Sequence, residues 1–284
     1  MDVRRRNNVT ISGNGPVTLV FAHGFGCDQV VWRFMLPAFE ARYRIVTFDL
    51  TGSGNSTLDA YCRTRHGSLH GYADDLVEIL DEVADGPVVY IGHSVSAMIG
   101  MLASIKAPRH FRAHVMIAPS PCYINDGGDG DDGHYRGGFS RGDIDELLET
   151  MDANYLGWST SMAPVIMGAP NIPHLGIELS NKFCRNDPEI ARHFARVTFL
   201  SDHRADLAHM VVPTLILQCS DDLIAPIEVG TYLQRQLRGS RLEVIANVGH
   251  CPHMSNPKEC ARLTQDFLDE LDELGALGDT EIPA

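Results

Sequence analysis

The chain has no surplus of positive charge. Its 23 Lys and Arg face 37 Asp and Glu, a formal net charge of −14, which argues against nucleic acid or an anionic membrane surface as a partner. It has no cysteine framework either. The seven cysteines, at 27, 62, 122, 184, 219, 251 and 260, are odd in number and show no C-x-x-C spacing, so a reducing compartment is expected. No apolar run approaches the length of a membrane span. The basic segment Met1–Asn8 is not followed by the apolar core of a signal peptide. The expected location is the cytoplasm. No internal repeat is visible, and 284 residues give room for one large α/β domain or two small ones.

What is present is an alternation. Buried-strand patterns at Val17–Ala22, Arg44–Phe48, Val88–Ile91 and Ala113–Ala118 alternate with helical ones, expected near Gln29–Glu40, Ser68–Val83 and after Ser94. Val9–Ser12 reads as a short edge strand. Such alternation calls for a mostly parallel sheet covered by helices on both faces. From Pro119 to about Met210 strands are missing, and helical stretches are expected near 143–156, 159–167, 172–185 and 188–200. The sheet resumes at Val212–Gln218 and Arg241–Ala246. Asn256-Pro257-x-Glu259 then carries the signature of a helix start. The expected organisation is an α/β core of residues 1–118 and 211–284 with a helical lid, 119–210, inserted into it. The run Asn125–Gly133, rich in Gly and Asp, reads as a mobile loop. Its acidic spacing does not fit a calcium loop.

Ligands bind at the carboxyl ends of strands in such sheets, and that is where the chemistry-bearing residues fall. Val88-Val89-Tyr90-Ile91-Gly92-His93-Ser94-Val95-Ser96 is a strand, a sharp turn and a helix start. It is a nucleophile elbow, G-x-S-x-G, with Ser96 in place of the last Gly. A serine needs a base to take its proton and a carboxylate to orient that base. Ser94, Asp222 and His250 follow strands in the order Ser, acid, His, which is the chain order of α/β-hydrolases. Asp221 competes with Asp222 for the acid, and His253 with His250 for the base. A His250/Cys251/His253 metal cluster lacks a second ligand group with familiar spacing. No metal or other cofactor is expected. Oxyanion donors are expected from the Val95 amide and from Phe25, in the glycine-rich loop His23-Gly24-Phe25-Gly26. His23 reads as a structural histidine, and Asp49, Gly52 and Gly54 as supports of a tight turn.

His23-Gly24-Phe25-Gly26-Cys27-Asp28-Gln29-x-x-Trp32, Gly92-His93-Ser94-Val95-Ser96-Ala97-Met98-Ile99-Gly100 and Gly249-His250-x-Pro252 resemble one subfamily of α/β-hydrolases. It includes the bacterial stress-response hydrolase RsbQ and the plant karrikin/strigolactone receptor hydrolases. Tyr123, Gly137-Gly138-Phe139, Asn154-Tyr155-x-x-Trp158 and Phe199-x-Ser201-Asp202 extend the likeness into the inserted segment. The resemblance implies an α/β-hydrolase fold whose lid is a V of four helices over a hydrophobic pocket. It also implies slow hydrolysis of esters or enol ethers, butenolide lactones included, often in a signalling role. Phe25, Tyr123, Trp158, Met162, Phe199 and Ile224 would face the ligand. The chain departs from the family in a longer acidic loop at 126–133 and in Met162, where the plant receptors tend to carry an aromatic residue.

Three functions follow. The leading one is a serine hydrolase of small apolar esters or lactones. The second is a ligand sensor whose output is contact with a signalling protein, hydrolysis being secondary. The third, a carbon–carbon bond hydrolase, needs a basic group for a carboxylate, and the lid offers none that is obvious. Epoxide hydrolases and haloalkane dehalogenases place Asp at the elbow, so Ser94 disfavours them.

Overall fold

Among the described residues, seven strands order the chain: β1 (Thr10–Ser12), β2 (Thr18–Ala22), β3 (Arg44–Phe48), β4 (Val88–His93), β5 (Phe111–Ile117), β6 (Thr214–Asp221) and β7 (Arg241–Val248). They form one sheet in the order β1-β3-β2-β4-β5-β6-β7. β1 runs antiparallel to β3, and every other pair is parallel. Among the described residues the α-helices are α1 (Val3–Arg6), α2 (Leu69–Val83), α3 (Val95–Lys106), α4 (Arg141–Ala153), α5 (Tyr155–Met167), α6 (Pro173–Arg185), α7 (Pro188–Phe199), α8 (Ile227–Gln236), α9 (Pro252–Ser255) and α10 (Pro257–Glu273). This computed structural model describes residues 2–126 and 135–277. Most of the Gly/Asp run, 127–133, lies outside the described residues. Among those described, no helix is long and apolar enough to cross a membrane.

The period of two along each strand sorts side chains to the two faces. Leu19, Phe21, Ile45, Val89, Ile91, Val115, Leu215 and Leu217 join a core with residues of α10 and of α4–α7. Val20, Ala22, Val46, Phe48, Tyr90, Met116 and Ile216 join a second core with α2, α3 and α8. Every residue of β2 and β4 is buried, as strands covered on both faces require.

Four local readings of the sequence are corrected. The helix expected over Gln29–Glu40 is two 3₁₀ segments, Gln29–Phe34 and Leu36–Ala38. Pro37 has no N–H to donate and disfavours α geometry at Leu36. The break expected between 156 and 159 falls instead at Asn154, which ends α4 and accepts the Gly157 N–H at 3.0 Å, so Tyr155 and Trp158 belong to α5. β6 continues past Gln218 and a register shift to pair Asp221 with Val248. Asn256 does precede α10, but its side chain makes no capping bond.

Four buried histidines are kept uncharged by the core. Burial lowers His23 and, more strongly, His93, and depresses His114 and His253 to about 3. These folded-state values lie below the unfolded value near 6.5, so the stabilisation is complete above that pH. It is lost as pH falls and the unfolded chain takes up protons that the fold refuses. His114 and His253 each contribute a slope of about 1.4 kcal/mol per pH unit between about 6.5 and 3, and His23 and His93 add to it in the same direction. Urea unfolding is therefore expected to show stability dropping steeply from pH 7 to pH 5, and His114→Leu should remove about one proton from that slope. A flat profile over this range would contradict the buried neutral state.

Candidate active site

The elbow is strained where the sequence predicts it. Ser94 has φ 55° and ψ −124°, a region that costs energy for any residue with a Cβ and that persists only when its surroundings fix it. A Cβ on Gly92 would stand 2.7 Å from the Ser96 carbonyl oxygen and 2.8 Å from the Ala97 nitrogen. Only glycine lets strand and helix approach this closely. Ser96 fills the position usually held by glycine, and it adds a bond: its hydroxyl donates to the His23 carbonyl. The elbow helix is thereby tied to the loop after β2.

Three side chains form a hydrogen-bonded chain at the strand ends. His250 Nε2 lies 2.8 Å from Ser94 Oγ, and His250 Nδ1 lies 2.8 Å from Asp222 Oδ2. Asp222 is ordered by more than the histidine, since its Oδ1 accepts the N–H groups of Ile224 at 2.8 Å and Ala225 at 3.2 Å. A carboxylate only accepts, so His250 carries its proton on Nδ1 and presents a lone pair at Nε2. The two competitors are occupied elsewhere. Asp221 is an exposed strand residue whose carbonyl accepts the Gly249 N–H. His253 is fully buried, with its ring 4.7 Å from Trp32 and 4.3 Å from His93. Burial also pushes the Cys251 thiol well up. Among the described residues no group of three or more His, Cys, Asp or Glu is arranged to hold a metal.

The loop carrying His250 is held from two sides. His93 Nε2–H donates to the His250 carbonyl at 2.8 Å, and the His250 N–H donates to the Ile166 carbonyl of α5 at 2.8 Å. Gly249, at φ 100°, passes so close to the end of α5 that a Cβ would lie 2.0 Å from the Met167 carbonyl oxygen. On the other flank, His23 Nε2 accepts the Leu50 N–H at 3.0 Å and Nδ1–H donates to the Gly24 carbonyl at 2.8 Å, a structural role. Asp49 accepts from Gln29 N–H, Asn8 and Asn55 N–H, which fixes the turn containing Gly52 and Gly54. The N–H groups of Phe25 and Val95 have no acceptor among the turn, loop and cap bonds of the described residues. Val95 opens α3, where the first amides point out of the helix unpaired and favour negative charge.

Above the serine lies a small cavity of about 30 Å³ lined by Phe25, Tyr123, Trp158, Ile166, Phe183, Thr198, Phe199 and Ile224 together with Ser94 and His250. Phe25 is its hub, with ring centroids 5.8 Å from Phe183, 6.0 Å from Phe199 and 6.3 Å from Trp158. Trp158 stacks on Phe183 at 5.8 Å and 5°. Burial pushes the Tyr123 phenol up to about 12, against a smaller opposing influence of Ser94, so it stays neutral. Among the described residues, no Lys, Arg, Asp or Glu lines the cavity. Lys182, on the neighbouring α6, is paired with Asp28 at 2.7 Å.

Of the six sequence-predicted pocket residues, five line this cavity. Met162 does not: it is half-buried and packs against the core, while Ile166, one turn further along α5, takes the wall. Ile166, Phe183 and Thr198 line it from outside that set. The signal for Ile166 was its spacing of eight from Trp158, two turns along the same helix. Thr198 carries no sequence signal beyond adjacency to Phe199.

Residues 19–263 match the model of a family described as the alpha/beta hydrolase family. A karrikin insensitive 2 receptor of Petunia hybrida is 40% identical over 256 residues, 90% of this chain and 93% of that protein. Strigolactone esterase D14 of Arabidopsis thaliana is 38% identical over 262 residues, 92% and 96% of the two chains. The solved structure of a hydrolase from Oleispira antarctica superposes with a TM-score of 0.90 at 43% identity, covering 94% of this chain and 96% of that one. With the elbow, the strand-end chain of Ser94, His250 and Asp222, and a match over most of its length, the chain belongs to the alpha/beta hydrolase family.

Proposed function

We propose that the protein is a serine hydrolase of small uncharged esters or lactones. One observation carries this reading: the Asp222–His250–Ser94 chain, with both contacts at 2.8 Å, opens onto a cavity lined by no Lys, Arg, Asp or Glu among the described residues. In this reading Ser94 Oγ attacks the carbonyl carbon as His250 Nε2 takes its proton. Asp222 stabilises the resulting imidazolium. The Phe25 and Val95 N–H groups receive the oxyanion. Collapse of the tetrahedral intermediate returns the proton to the leaving oxygen, and water activated by His250 then frees the acyl group from Ser94.

The segment 119–210 is proposed as a lid on a core of 1–118 and 211–284. The ties that support this are the Ile166 carbonyl on the His250 N–H, the Lys182–Asp28 and Arg33–Glu178 pairs, and Asn186 Nδ2 donating to the Gly26 carbonyl at 2.8 Å. Likeness to strigolactone esterases favours lactones of butenolide type within the class. Likeness to receptors favours a second reading, in which ligand occupancy is signalled to a partner protein and turnover is secondary. That reading expects tight ligand binding retained in Ser94→Ala.

The test of substrate class is a panel of nitrophenyl esters. Neutral acyl groups should gain rate with each methylene until the cavity is full, about 0.8 kcal/mol each. Hemisuccinate, whose carboxylate would be buried without a partner, should be slower than butanoate by about 10²-fold or more in kcat/KM. A preference for the anionic ester would overturn the neutral-substrate reading and favour a carbon–carbon bond hydrolase.

A further inference from the structure

Several serine and threonine hydroxyls inside the helices bond back to a carbonyl of their own helix. Ser159 donates to the Tyr155 carbonyl, Thr160 to Leu156, Thr231 to Ile227 and Thr264 to Cys260, each four residues back, and Ser104 donates to Met101, three back. Thr198, in the last turn of α7, does not. It is 1% exposed, and its Oγ1 is buried without a hydrogen-bond partner among the described residues. Its carbonyl is engaged by the Ser201 hydroxyl at 2.8 Å, so the idle group is the side chain alone. Among the buried polar side-chain atoms without a partner, Thr198 Oγ1 is the one whose residue lines the cavity above Ser94.

A buried hydroxyl left unpaired is destabilising, and an apolar isostere would fill the same space without that cost. A site that holds such a group discriminates strongly in favour of a ligand that pairs with it. We infer that Thr198 is a specificity-determining residue: its hydroxyl donates to a second oxygen of the substrate, an ether or carbonyl oxygen remote from the scissile carbonyl. The inference rests on the hydrolase reading above and narrows it from apolar esters and lactones to those carrying a further oxygen acceptor. The aromatic wall of Phe25, Trp158, Phe183 and Phe199 takes the carbon skeleton, and Thr198 supplies the polar point within it.

The test compares nitrophenyl esters in pairs of equal shape: methoxyacetate with butanoate, 3-methoxypropanoate with pentanoate, and 4-methoxybutanoate with hexanoate. The ratio of kcat/KM, ether over alkyl, is measured for wild type, Thr198→Val and Thr198→Ser. Dividing the wild-type ratio by the Thr198→Val ratio cancels the intrinsic reactivity of each ester. In at least one pair this quotient should be about fivefold to tenfold, one hydrogen bond, and Thr198→Ser should recover most of it. Thr198→Val should also melt within about 2 °C of wild type or above it, since no internal bond is broken. Quotients near one in all three pairs, or a melting temperature lowered by several degrees, would overturn the inference while leaving Ser94-dependent turnover in place. Absence of Ser94-dependent turnover with every ester would overturn the hydrolase reading and this inference with it.

Discussion

Ser94→Ala is expected to reduce ester turnover by about 10³-fold or more while leaving the thermal transition within a few degrees of wild type or higher. The chemical loss follows from the attacking atom: among the described residues, Ser94 carries the hydroxyl hydrogen-bonded to His250. Ser120 is buried but gives its hydroxyl to the Cys122 carbonyl, and Ser96 gives its own to His23. The folding consequence has the opposite sign. Ser94 sits at φ 55° between β4 and α3, and alanine occupies that conformation at similar strain, with one fewer polar group to desolvate. Comparison of kcat for a neutral nitrophenyl ester with the melting temperature separates chemistry from fold. Retained turnover in a folded variant would contradict the assignment.

Asp222→Asn is expected to cost nearly as much, by a mechanism that the hydrogen-bond pattern specifies. The asparagine oxygen can replace Oδ1 as acceptor of the Ile224 and Ala225 amides. Its amide nitrogen then faces His250 Nδ1 with a donor where a carboxylate had accepted. The imidazole answers by moving its proton to Nε2, and the nitrogen that should take the Ser94 proton becomes a donor. A wrong tautomer of this kind lowers kcat by about 10⁴ in a serine protease with the same arrangement. His250→Ala should match that loss. The double variant should be scarcely worse than either single one, because the residues act as a unit. Asp221→Asn, altering an exposed strand residue, should stay within about threefold of wild type. Losses that multiply in the double variant, or damage confined to Asp221→Asn, would contradict the proposed roles.

The elements that carry this chemistry were legible because each follows a pattern that is local. Buried β-branched runs mark β2, β4 and β6, and the residues just beyond them (Phe25, Ser94, Asp222) are placed by the sheet alone. The choice between Asp221 and Asp222 was not local: it depends on β6 continuing to Asp221 beside Val248, a pairing made across the sheet. The same is true of His253, whose burial against Trp32 and His93 is set by the packing of three segments. The cavity was read in part. Aromatic residues announce themselves, and five of the six predicted residues line it. Met162 rests on the family resemblance alone; here it packs against the core, and Ile166 on α5 forms the wall. Thr198 was invisible because an unpaired hydroxyl is defined by what it fails to touch. The bond from Ser96 to His23 was hidden for a related reason, since the motif calls for glycine there and assigns the side chain no task.

Covalent labelling tests the central claim most directly, because it reports the reacting atom rather than the rate. The protein is treated with a neutral serine-reactive phosphonate at neutral pH, digested, and the modified peptide sequenced by mass spectrometry. One phosphonyl group per chain is expected, on Ser94, with labelling slowed by orders of magnitude in His250→Ala and blocked by a competing neutral ester. Labelling on Ser96 or Ser120, or undiminished labelling of Ser94 in His250→Ala, would contradict it.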